Sequence, residues 1–562
     1  MTYRAPVGEM RFLLDEVLRA GRLAETERFA DATSETVEAI LSEAARLAED
    51  VLAPLRRAGD LEPALLENGV VRATPGFREA YRALADGGWV GLAAPPEYGG
   101  MGLPMTLLSC LNEMLSGANL SLALCPLLSQ GQIEALDSHA SVALKSVYLP
   151  KLIAGDWTGT MNLTEPQAGS DVGAVRTRAE PNGDGTWAVS GQKIFISWGD
   201  HDIAENVCHL VLARTPDAPA GTKGISLFLV PKFVPDSEGR PGVANGVRAL
   251  SLEHKMGLHG SPTCVMEFAG STGWLVGAER DGMAAMFTMM NNARLGVGVQ
   301  GLSQADAALQ AALAFAQERR QGKTPVEGVA TIVGHADVRR MLATMSATVA
   351  VARAICLDCA LSTDMASATG EAAWRDRAGF LTPIAKAFGT DAGCEVSALA
   401  MQVFGGTGYV EETGVAQFYR DVRVTSIYEG TNGIQAMDMV GRKLGDSGDA
   451  ARALLAEIAA TAAEGGELGR RLGVAADRLG AATGWMVESR PNDRFAGATP
   501  YLRAFALTLG GHYLLRGALA EGEGGPREAL AAFYIRQLLP EVAALCEAAC
   551  EGAAPLYACA VN

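Results

Sequence analysis

A block of short strands interrupts a chain that is otherwise helical, and this order restricts the fold more than any other feature. From about residue 158 to 276, β-branched and aromatic runs such as residues 193–197 (KIFIS) alternate with turn compositions such as residues 182–185 (NGDG). The flanking stretches show helical apolar spacing, and βαβ alternation is missing. The sequence therefore predicts a mainly α protein with a central β-domain. The predicted divisions are an N-terminal helical domain (1–157), a middle β-sandwich or barrel (158–276), a helical bundle (277–445) and an additional C-terminal helical domain (446–562).

Charge and apolar patterning exclude several classes of protein. The chain has 562 residues, of which 47 are Lys or Arg and 64 are Asp or Glu, so its formal charge is −17. This balance argues against nucleic-acid binding, and no lysine follows Lys443. The most apolar long stretch, residues 343–370, contains Arg353, Asp358 and Asp364, which indicates a buried helix and no membrane span. Because the N-terminus lacks a secretory pattern and ten cysteines are scattered, we expect a cytoplasmic protein.

Two short motifs suggest other chemistries but lack the surroundings that those chemistries need. Gly296-x-Gly298-x-x-Gly301 matches the dinucleotide fingerprint, yet helical spacing precedes it where a strand is required. Close packing of two helices is the better interpretation. Cys356-x-x-Cys359 lies within the apolar helical stretch, with no second pair at zinc-like spacing. The seven histidines are dispersed, so we expect no metal site.

Three further segments carry candidate chemistry. They are residues 161–171 (MNLTEPQAGSD), 402–409 (QVFGGTGY) and 427–435 (IYEGTNGIQ). Taken alone, each has a structural interpretation: a strand ending in a polar turn, a helix C-cap, and an acid at a helix start. Each also has a functional interpretation. The first would cradle a heterocycle and a phosphate, the glycines of the second would admit a pyrophosphate, and Glu429 in the third would be a desolvated base.

Together and in this order, these segments resemble the acyl-CoA dehydrogenase family. Among its most diagnostic pairs is Thr-Glu-Pro-x-Ala-Gly-Ser-Asp followed by Ser-Gly-Gln-Lys-Ile-Phe-Ile-Ser, which stand here at residues 164–171 and 190–197. The resemblance runs from about Glu9 to Lys443. The N-terminal segment YRAPVGEMRFLLDEVL and the extra C-terminal bundle are similar to a branch that includes bacterial long-chain and 3-methylmercaptopropionyl-CoA dehydrogenases. The resemblance implies the fold of that family and a bound FAD.

The resemblance also implies roles for individual residues. Those expected around the flavin are Met161, Leu163, Thr164, Gly169, Ser170, Phe195, Ile196, Ser197, Thr431 and Asn432. Arg319 is expected to reach an FAD phosphate across a subunit interface. The residues expected to hold the adenine half of the partner's cofactor are Gln402, Val403, Phe404, Gly405 and Gly406. The expected substrate contacts are Ser170, Arg294, Tyr428 and Gly430.

The implied reaction is the α,β-dehydrogenation of an acyl-CoA thioester to the trans-2-enoyl-CoA. Glu429 would abstract the α-proton while the β-hydrogen leaves as hydride to flavin N5. The thioester carbonyl would accept hydrogen bonds from a flavin ribityl hydroxyl and the Glu429 amide. A dry pocket would raise the pKa of the base toward the working range.

The resemblance implies partners as well. An electron-transfer flavoprotein is the expected electron acceptor, and an acyl-CoA oxidase that returns electrons to oxygen is the alternative. A third interpretation is non-catalytic, since some relatives with extended C-terminal domains bind DNA through a basic face, but the acidic C-terminal stretch argues against it. Because the added bundle would cover the face used for dimer–dimer contact in tetrameric relatives, we expect a homodimer.

Overall fold

The computed structural model describes residues 2–445 and 447–561, and these fall into two compact units. The first, called the helical unit, contains the described residues up to Ala45, Pro104–Gly117, and the described residues from Arg294 onward. The second, called the mixed unit, contains Arg46–Leu103 and Ala118–Ala293. The three predicted boundaries between the four domains stay predictions. The boundary at Asp446 lies outside the described residues, as do Met1 and Asn562.

The N-terminal quarter of the chain is mostly helical, as predicted, with one short hairpin that the sequence did not reveal. Its elements are α1 (Val7–Phe12), α2 (Ser34–Leu47), α3 (Arg56–Leu61), β1 (Leu65–Glu67), β2 (Val70–Arg72), α4 (Phe77–Asp86), α5 (Met105–His139) and α6 (Val142–Ile153). Helix α5 is broken at Asn119, where φ is −157° and ψ is 89°. The hairpin strands are three residues each, too short to produce a readable alternation.

The remaining strands follow one another where the sequence places the β block. They are β3 (Trp157–Asn162), β4 (Arg178–Pro181), β5 (Trp187–Ser197), β6 (Asn206–Arg214), β7 (Ile225–Pro231), β8 (Phe233–Pro235), β9 (Pro241–Ala244), β10 (Val247–Leu252) and β11 (Thr263–Val276). Strands β11, β5, β4, β6 and β7 pair in a closed cycle, so the central sheet forms a small barrel. Strand β10 extends it beside β11, and β3 pairs in parallel with β6.

The central strands of the barrel are buried along their lengths. Every residue of β7 is buried, as are all but the last of β6. Such strands read as continuous apolar runs, which is why residues 207–212 and 225–230 are recognisable in the sequence. Within the closed cycle, strand β11 has two neighbours, since its longer part pairs with β5 and its last three residues pair with β7.

The chain then becomes helical again to its end. The elements are α7 (Gly282–Glu318), α8 (Ala336–Thr369), α9 (Ala372–Phe404), α10 (Val415–Val422), α11 (Asn432–Asp438), α12 (Asp449–Glu464), α13 (Gly466–Glu488), α14 (Pro491–Glu521), α15 (Pro526–Gln537), α16 (Glu541–Ala549) and α17 (Ala554–Ala558). This order, helical then β then helical with an added helical region, confirms the predicted fold class.

Glycines bring α7 and α9 together in the helical unit. A Cβ atom on Gly298 would lie 2.5 Å from the Ala385 carbonyl oxygen, and one on Gly301 would lie 2.3 Å from the Gly389 carbonyl oxygen. Only a residue without a side chain fits such backbone contact. The Gly296–Gly301 motif is therefore a helix-packing surface inside α7, which confirms the interpretation that rejects a dinucleotide fold.

Helix α8 contains the apolar stretch that the sequence predicts to be a buried helix. Its Arg353 is buried and donates to Glu113 at 2.7 Å and to Asp306 at 2.8 Å. In the part of the chain that the structure describes, α8 alone is long and apolar enough by composition to cross a membrane, and 72% of its most apolar stretch is buried inside the protein. Helices α15 and α16 pass the same test only when counted together across a 45° bend.

The C-terminal helices are attached to the bundle by a buried ionic cluster. Asp358 on α8 accepts hydrogen bonds from Arg377 on α9 and from the Tyr513 hydroxyl on α14. Arg377 also pairs with Glu457 on α12 at 2.6 Å. Because removing one partner of a buried ion pair leaves an uncompensated charge, this cluster specifies how the extension packs on α8 and α9.

Candidate active site

Glu429 lies in a short loop between a 3₁₀ turn, Arg423–Ser426, and helix α11. Its backbone is left-handed, with φ +55°, and Gly430 follows with φ +82°. A left-handed conformation costs a non-glycine residue on the order of 1 kcal/mol or more. Thr431 then caps α11, since its side chain accepts a hydrogen bond from the Ile434 amide. The loop therefore has a specific conformation, defined by two left-handed residues and a helix cap.

The carboxyl group of Glu429 is half-buried, and no described residue donates a hydrogen bond to it. Burial raises its pKa to about 7, while Arg294 and Lys386 act in the opposite direction. Both cations are themselves buried, and burial lowers the pKa of Arg294 and lowers that of Lys386 to about 8. The result is a carboxyl group that gains and loses its proton near neutral pH.

Two neighbours of Glu429 are anchored to other helices of the same unit. The Tyr428 hydroxyl donates to Oε1 of Gln300 on α7. The Asn432 amide is fully engaged with α9, since its Oδ1 accepts from Lys386 at 2.8 Å and its Nδ2 donates to Asp391 at 2.7 Å. Asn432 thus has a demonstrated role in fixing the loop, beside the cofactor contact that the resemblance implies.

The mixed unit holds the second set of candidate residues, around the loop that follows β3. Glu165 of this loop accepts hydrogen bonds from Lys193 on β5, the Thr177 hydroxyl and the backbone amides of Arg176 and Thr177, all between 2.6 and 3.0 Å. Lys193 also donates to the Leu163 carbonyl oxygen at 3.0 Å. Burial opposes ionisation of Glu165, but these donors outweigh it and lower its pKa to about 2. Glu165 and Lys193 together tie the loop to the barrel.

This tie brings the predicted flavin residues of the mixed unit together. The Ile194 amide donates to the Thr164 carbonyl oxygen at 2.9 Å, so the loop after β3 runs beside the end of β5. Phe195 there has φ +60° and a side chain that is 59% exposed, whereas Ile196 is buried. An aromatic ring held outward in this way leaves a flat apolar surface for a planar ligand.

A third set lies where α7 and α9 end in the helical unit. The rings of Phe315 and Phe404 stack with centroids 4.1 Å apart, which brings the two helix ends side by side. Arg319 is exposed just after the end of α7. Gln402, Gly405 and Gly406 are exposed at the end of α9. Gly405 has φ +62°, and a Cβ atom on either glycine would meet no atom within 4 Å.

Within each unit, the residues present suit one part of an FAD molecule. Gly169 in the loop after β3 and Gly405 with Gly406 after α9 leave open space where side chains would stand. Backbone amides without neighbouring side chains are suited to approach a pyrophosphate. The exposed face of Phe195 is suited to a flavin ring.

Sequence reasoning assigned no role to five residues that position these sets: Glu165, Lys193, Lys386, Gln300 and Gln435. Lys193 and Lys386 are completely buried, and each occurs among apolar neighbours that the sequence places in a strand or helix. A lysine on the inward face of a predicted element is a signal that could have identified both. The glutamines carry no such signal, because buried and exposed glutamines look alike in a sequence.

Comparison with known proteins agrees with this architecture. Models of the acyl-CoA dehydrogenase N-terminal, middle and C-terminal domains match residues 34–156, 160–271 and 280–444. A model described as acetyl-CoA dehydrogenase C-terminal like matches residues 454–560. The chain therefore belongs to the acyl-CoA dehydrogenase family and is an oxidoreductase.

Among its relatives, the chain is 43% identical to the 3-methylmercaptopropionyl-CoA dehydrogenase of Ruegeria pomeroyi, over 97% of both chains. It is 35% identical to a butyryl-CoA dehydrogenase of Syntrophomonas wolfei, over 78% of this chain and 75% of that one. The structure of butyryl-CoA dehydrogenase from Megasphaera elsdenii covers 73% of this chain and 98% of its own, with 27% identity and a TM-score of 0.62. Caenorhabditis elegans ACDH-11 shares the fold over 96% of this chain and 92% of its own, at 19% identity and a TM-score of 0.79.

Proposed function

We propose that this acyl-CoA dehydrogenase uses Glu429 to remove the α-proton of an acyl-CoA thioester and forms the trans-2-enoyl-CoA. The observation that carries the proposal is the state of Glu429. Its half-buried carboxyl group accepts no hydrogen bond from the described residues, and its pKa is raised to about 7. A carboxylate with this pKa is ionised in a large fraction of molecules at neutral pH and is a stronger base than an exposed one.

FAD would supply the acceptor for the β-hydrogen, which leaves as a hydride. The residues proposed to hold it in the mixed unit are Met161, Leu163, Thr164, Gly169, Ser170, Phe195, Ile196 and Ser197. Those proposed in the helical unit are Arg319, Gln402, Val403, Phe404, Gly405, Gly406, Thr431 and Asn432. Support comes from the open space at the three glycines and from the exposed ring of Phe195.

Three further groups would assist the reaction: Arg294, Lys386 and the backbone amide of Glu429. The two cations keep the carboxylate form of Glu429 accessible, because each lowers the pKa that burial raises. The Glu429 amide is proposed to donate to the thioester carbonyl, which stabilises the charge that develops when the α-proton leaves. Ser170, Tyr428 and Gly430 are proposed as further contacts of the substrate.

Two of the relatives support a short acyl group as the first candidate. The two named above act on 3-methylmercaptopropionyl-CoA and butyryl-CoA, whose acyl chains are short. These two thioesters are therefore the substrates to test first, with longer fatty acyl-CoAs after them to test a place in fatty-acid oxidation.

A homodimer in the cytoplasm, passing electrons to an electron-transfer flavoprotein, completes the proposal. The exposed Arg319 and the 89% exposed side chain of Tyr409, beside the proposed adenine segment, support a second subunit there. Light scattering after size exclusion would report a mass of twice 58.6 kDa, and a tetramer would contradict the dimer. Peroxide formation with oxygen as the only acceptor would favour the oxidase alternative.

The deciding experiment is an anaerobic titration of the purified flavoprotein with each acyl-CoA while the flavin absorbance is followed. Bleaching is expected in the wild type and should be lost in Glu429→Gln, which keeps the shape of the side chain but removes the base. The matched control is Glu464→Gln, an exposed glutamate at the end of α12.

The two variants separate the outcomes. Loss of bleaching in Glu429→Gln with FAD still bound, and normal bleaching in Glu464→Gln, would support Glu429 as the base. Full bleaching in Glu429→Gln would refute it. A wild type that no thioester bleaches would remove the proposed substrate class.

A further inference from the structure

Gln435 is buried on helix α11 and reaches back to the loop that carries Glu429. Its Nε2 donates to the backbone carbonyl oxygen of Glu429 at 3.2 Å and to that of Gly430 at 3.4 Å. The side chain is 1% exposed. The same amide therefore touches two consecutive peptide units, including the one that begins at the left-handed residue Glu429.

The contact is close enough to restrict the sequence of the loop. A Cβ atom on Gly430 would lie 2.8 Å from Gln435 Nε2, so the amide occupies the space that a larger residue would need. Gly430 is thus required both by its φ of +82° and by this neighbour. The Gln435 amide therefore packs directly against the backbone of the loop.

The other anchors of the loop act on side chains. Tyr428 is held through its hydroxyl by Gln300, and Asn432 is held through its amide by α9. Neither fixes the peptide of Glu429 itself. The direction of a carboxyl group follows from the backbone conformation of its residue, since φ and ψ orient the Cα–Cβ bond.

We propose that Gln435 is a positioning residue for the reaction, because its amide holds the backbone of Glu429 in the left-handed conformation that aims the carboxyl group. The proposal rests on the proposed function of Glu429 as the base. Gln435 acts through the two backbone carbonyl groups to which its amide donates. Proton abstraction depends steeply on the placement of the base, so loss of this anchor should slow the chemical step and leave binding largely intact.

The test compares Gln435→Met, which keeps the length of the side chain and removes the donor, with Gln435→Asn, which keeps the amide but is too short to reach. The matched control is Gln304→Met, another buried glutamine of the helical unit, whose amide donates to the Ser116 carbonyl oxygen on α5. All variants are assayed as flavin-loaded protein with butyryl-CoA or 3-methylmercaptopropionyl-CoA, whichever bleaches the wild type.

For both Gln435 variants we expect kcat to fall by about 10- to 100-fold, with KM changed less than about twofold. The kinetic isotope effect with α-deuterated substrate should rise, since proton abstraction becomes more rate-limiting. Gln304→Met should change neither the isotope effect nor kcat per bound flavin. A merely structural role for Gln435 would lower the amount of flavin-loaded protein and leave the isotope effect unchanged.

The outcomes distinguish this proposal from the one on which it rests. If Glu429→Gln is inactive while the Gln435 variants keep the wild-type kcat and isotope effect, the positioning role is refuted and the base remains. If Glu429→Gln is active, both proposals fail. If neither Gln435 variant yields folded, flavin-loaded protein, Gln435 is a folding residue and the proposal is overturned.

Discussion

Glu165 of the mixed unit and Glu429 of the helical unit are both glutamates, but their pKa values are shifted in opposite directions. Glu165 is surrounded by Lys193 and by hydroxyl and amide donors, and its pKa falls to about 2. Glu429 is half-buried, no described residue donates to its carboxyl group, and its pKa rises to about 7. The contrast shows that burial alone does not decide the role of a carboxyl group. The number of donors within reach decides whether it fixes a loop or exchanges a proton.

The largest expected effect is on stability, from Glu165→Gln. This change leaves the buried ammonium of Lys193 without its partner, which costs about 3–5 kcal/mol in the free energy of unfolding. Glu429→Gln should change it by no more than about 0.5 kcal/mol, since it breaks no hydrogen bond of the carboxyl group. Chemical denaturation of both variants measures the difference, and equal stabilities would break the comparison.

The same pair predicts losses in two different pH ranges. The pKa of Glu165 is lowered, so its stabilising contribution is present above the ordinary carboxyl pKa of 4.5 and is lost as the pH falls from there toward 2. The pKa of Glu429 is raised to about 7, so the catalytically competent carboxylate form is lost as the pH falls through neutrality.

Gly430→Ala should have the next largest effect. Alanine at φ +82°, with its Cβ atom 2.8 Å from Gln435 Nε2, forces the loop to move at a cost of about 1–3 kcal/mol. We expect kcat to fall with the melting temperature. A variant with wild-type kcat and melting temperature would show that the loop accommodates a side chain and that its geometry is not critical.

Lys386→Met should shift the pH profile of kcat. Removing this cation takes away one of the two groups that lower the pKa of Glu429, so the acid limb should move upward by on the order of one pH unit. Lys223→Met, a change at an exposed lysine of the mixed unit, is the control. An acid limb that stays in place or moves down would contradict the assigned electrostatics.

Gly169→Ala should have the smallest effect on folding. A Cβ atom there meets no atom within 4 Å, so the free energy of unfolding should change by less than about 0.5 kcal/mol. If the loop holds FAD, the added methyl group should weaken FAD binding, measured as the dissociation constant from flavin fluorescence. Unchanged FAD affinity would remove Gly169 from the proposed cofactor site.

Much of the fold could be predicted from the sequence, because long helices and buried strands leave clear periodic patterns. Helical spacing on both sides of Gly298 was enough to reject the dinucleotide motif, and the apolar runs of β6 and β7 marked the barrel. The hairpin at residues 65–72 was missed because three-residue strands leave no period.

The candidate site was predicted through family motifs, and its supporting residues were not. Glu165 and Lys193 are 28 residues apart and meet only because the loop after β3 runs beside β5. Likewise, Lys386 and Arg294 lie on separate helices, and their influence on Glu429 depends on how those helices pack. Contacts of this kind arise from tertiary structure and have no local pattern in the chain.

The glycine contact between α7 and α9 has a consequence for redesign of this enzyme. On α7, Arg294 lies four and seven residues before Gly298 and Gly301, so all three share one helix face. On α9, Lys386 shares a face with Gly389 and Gly393, which meet that same surface of α7. The two cations, Arg294 and Lys386, therefore lie on the helix faces that form the backbone contact. A substitution that slides one helix along the other would retune the acidity of the base, even from a position that never touches it.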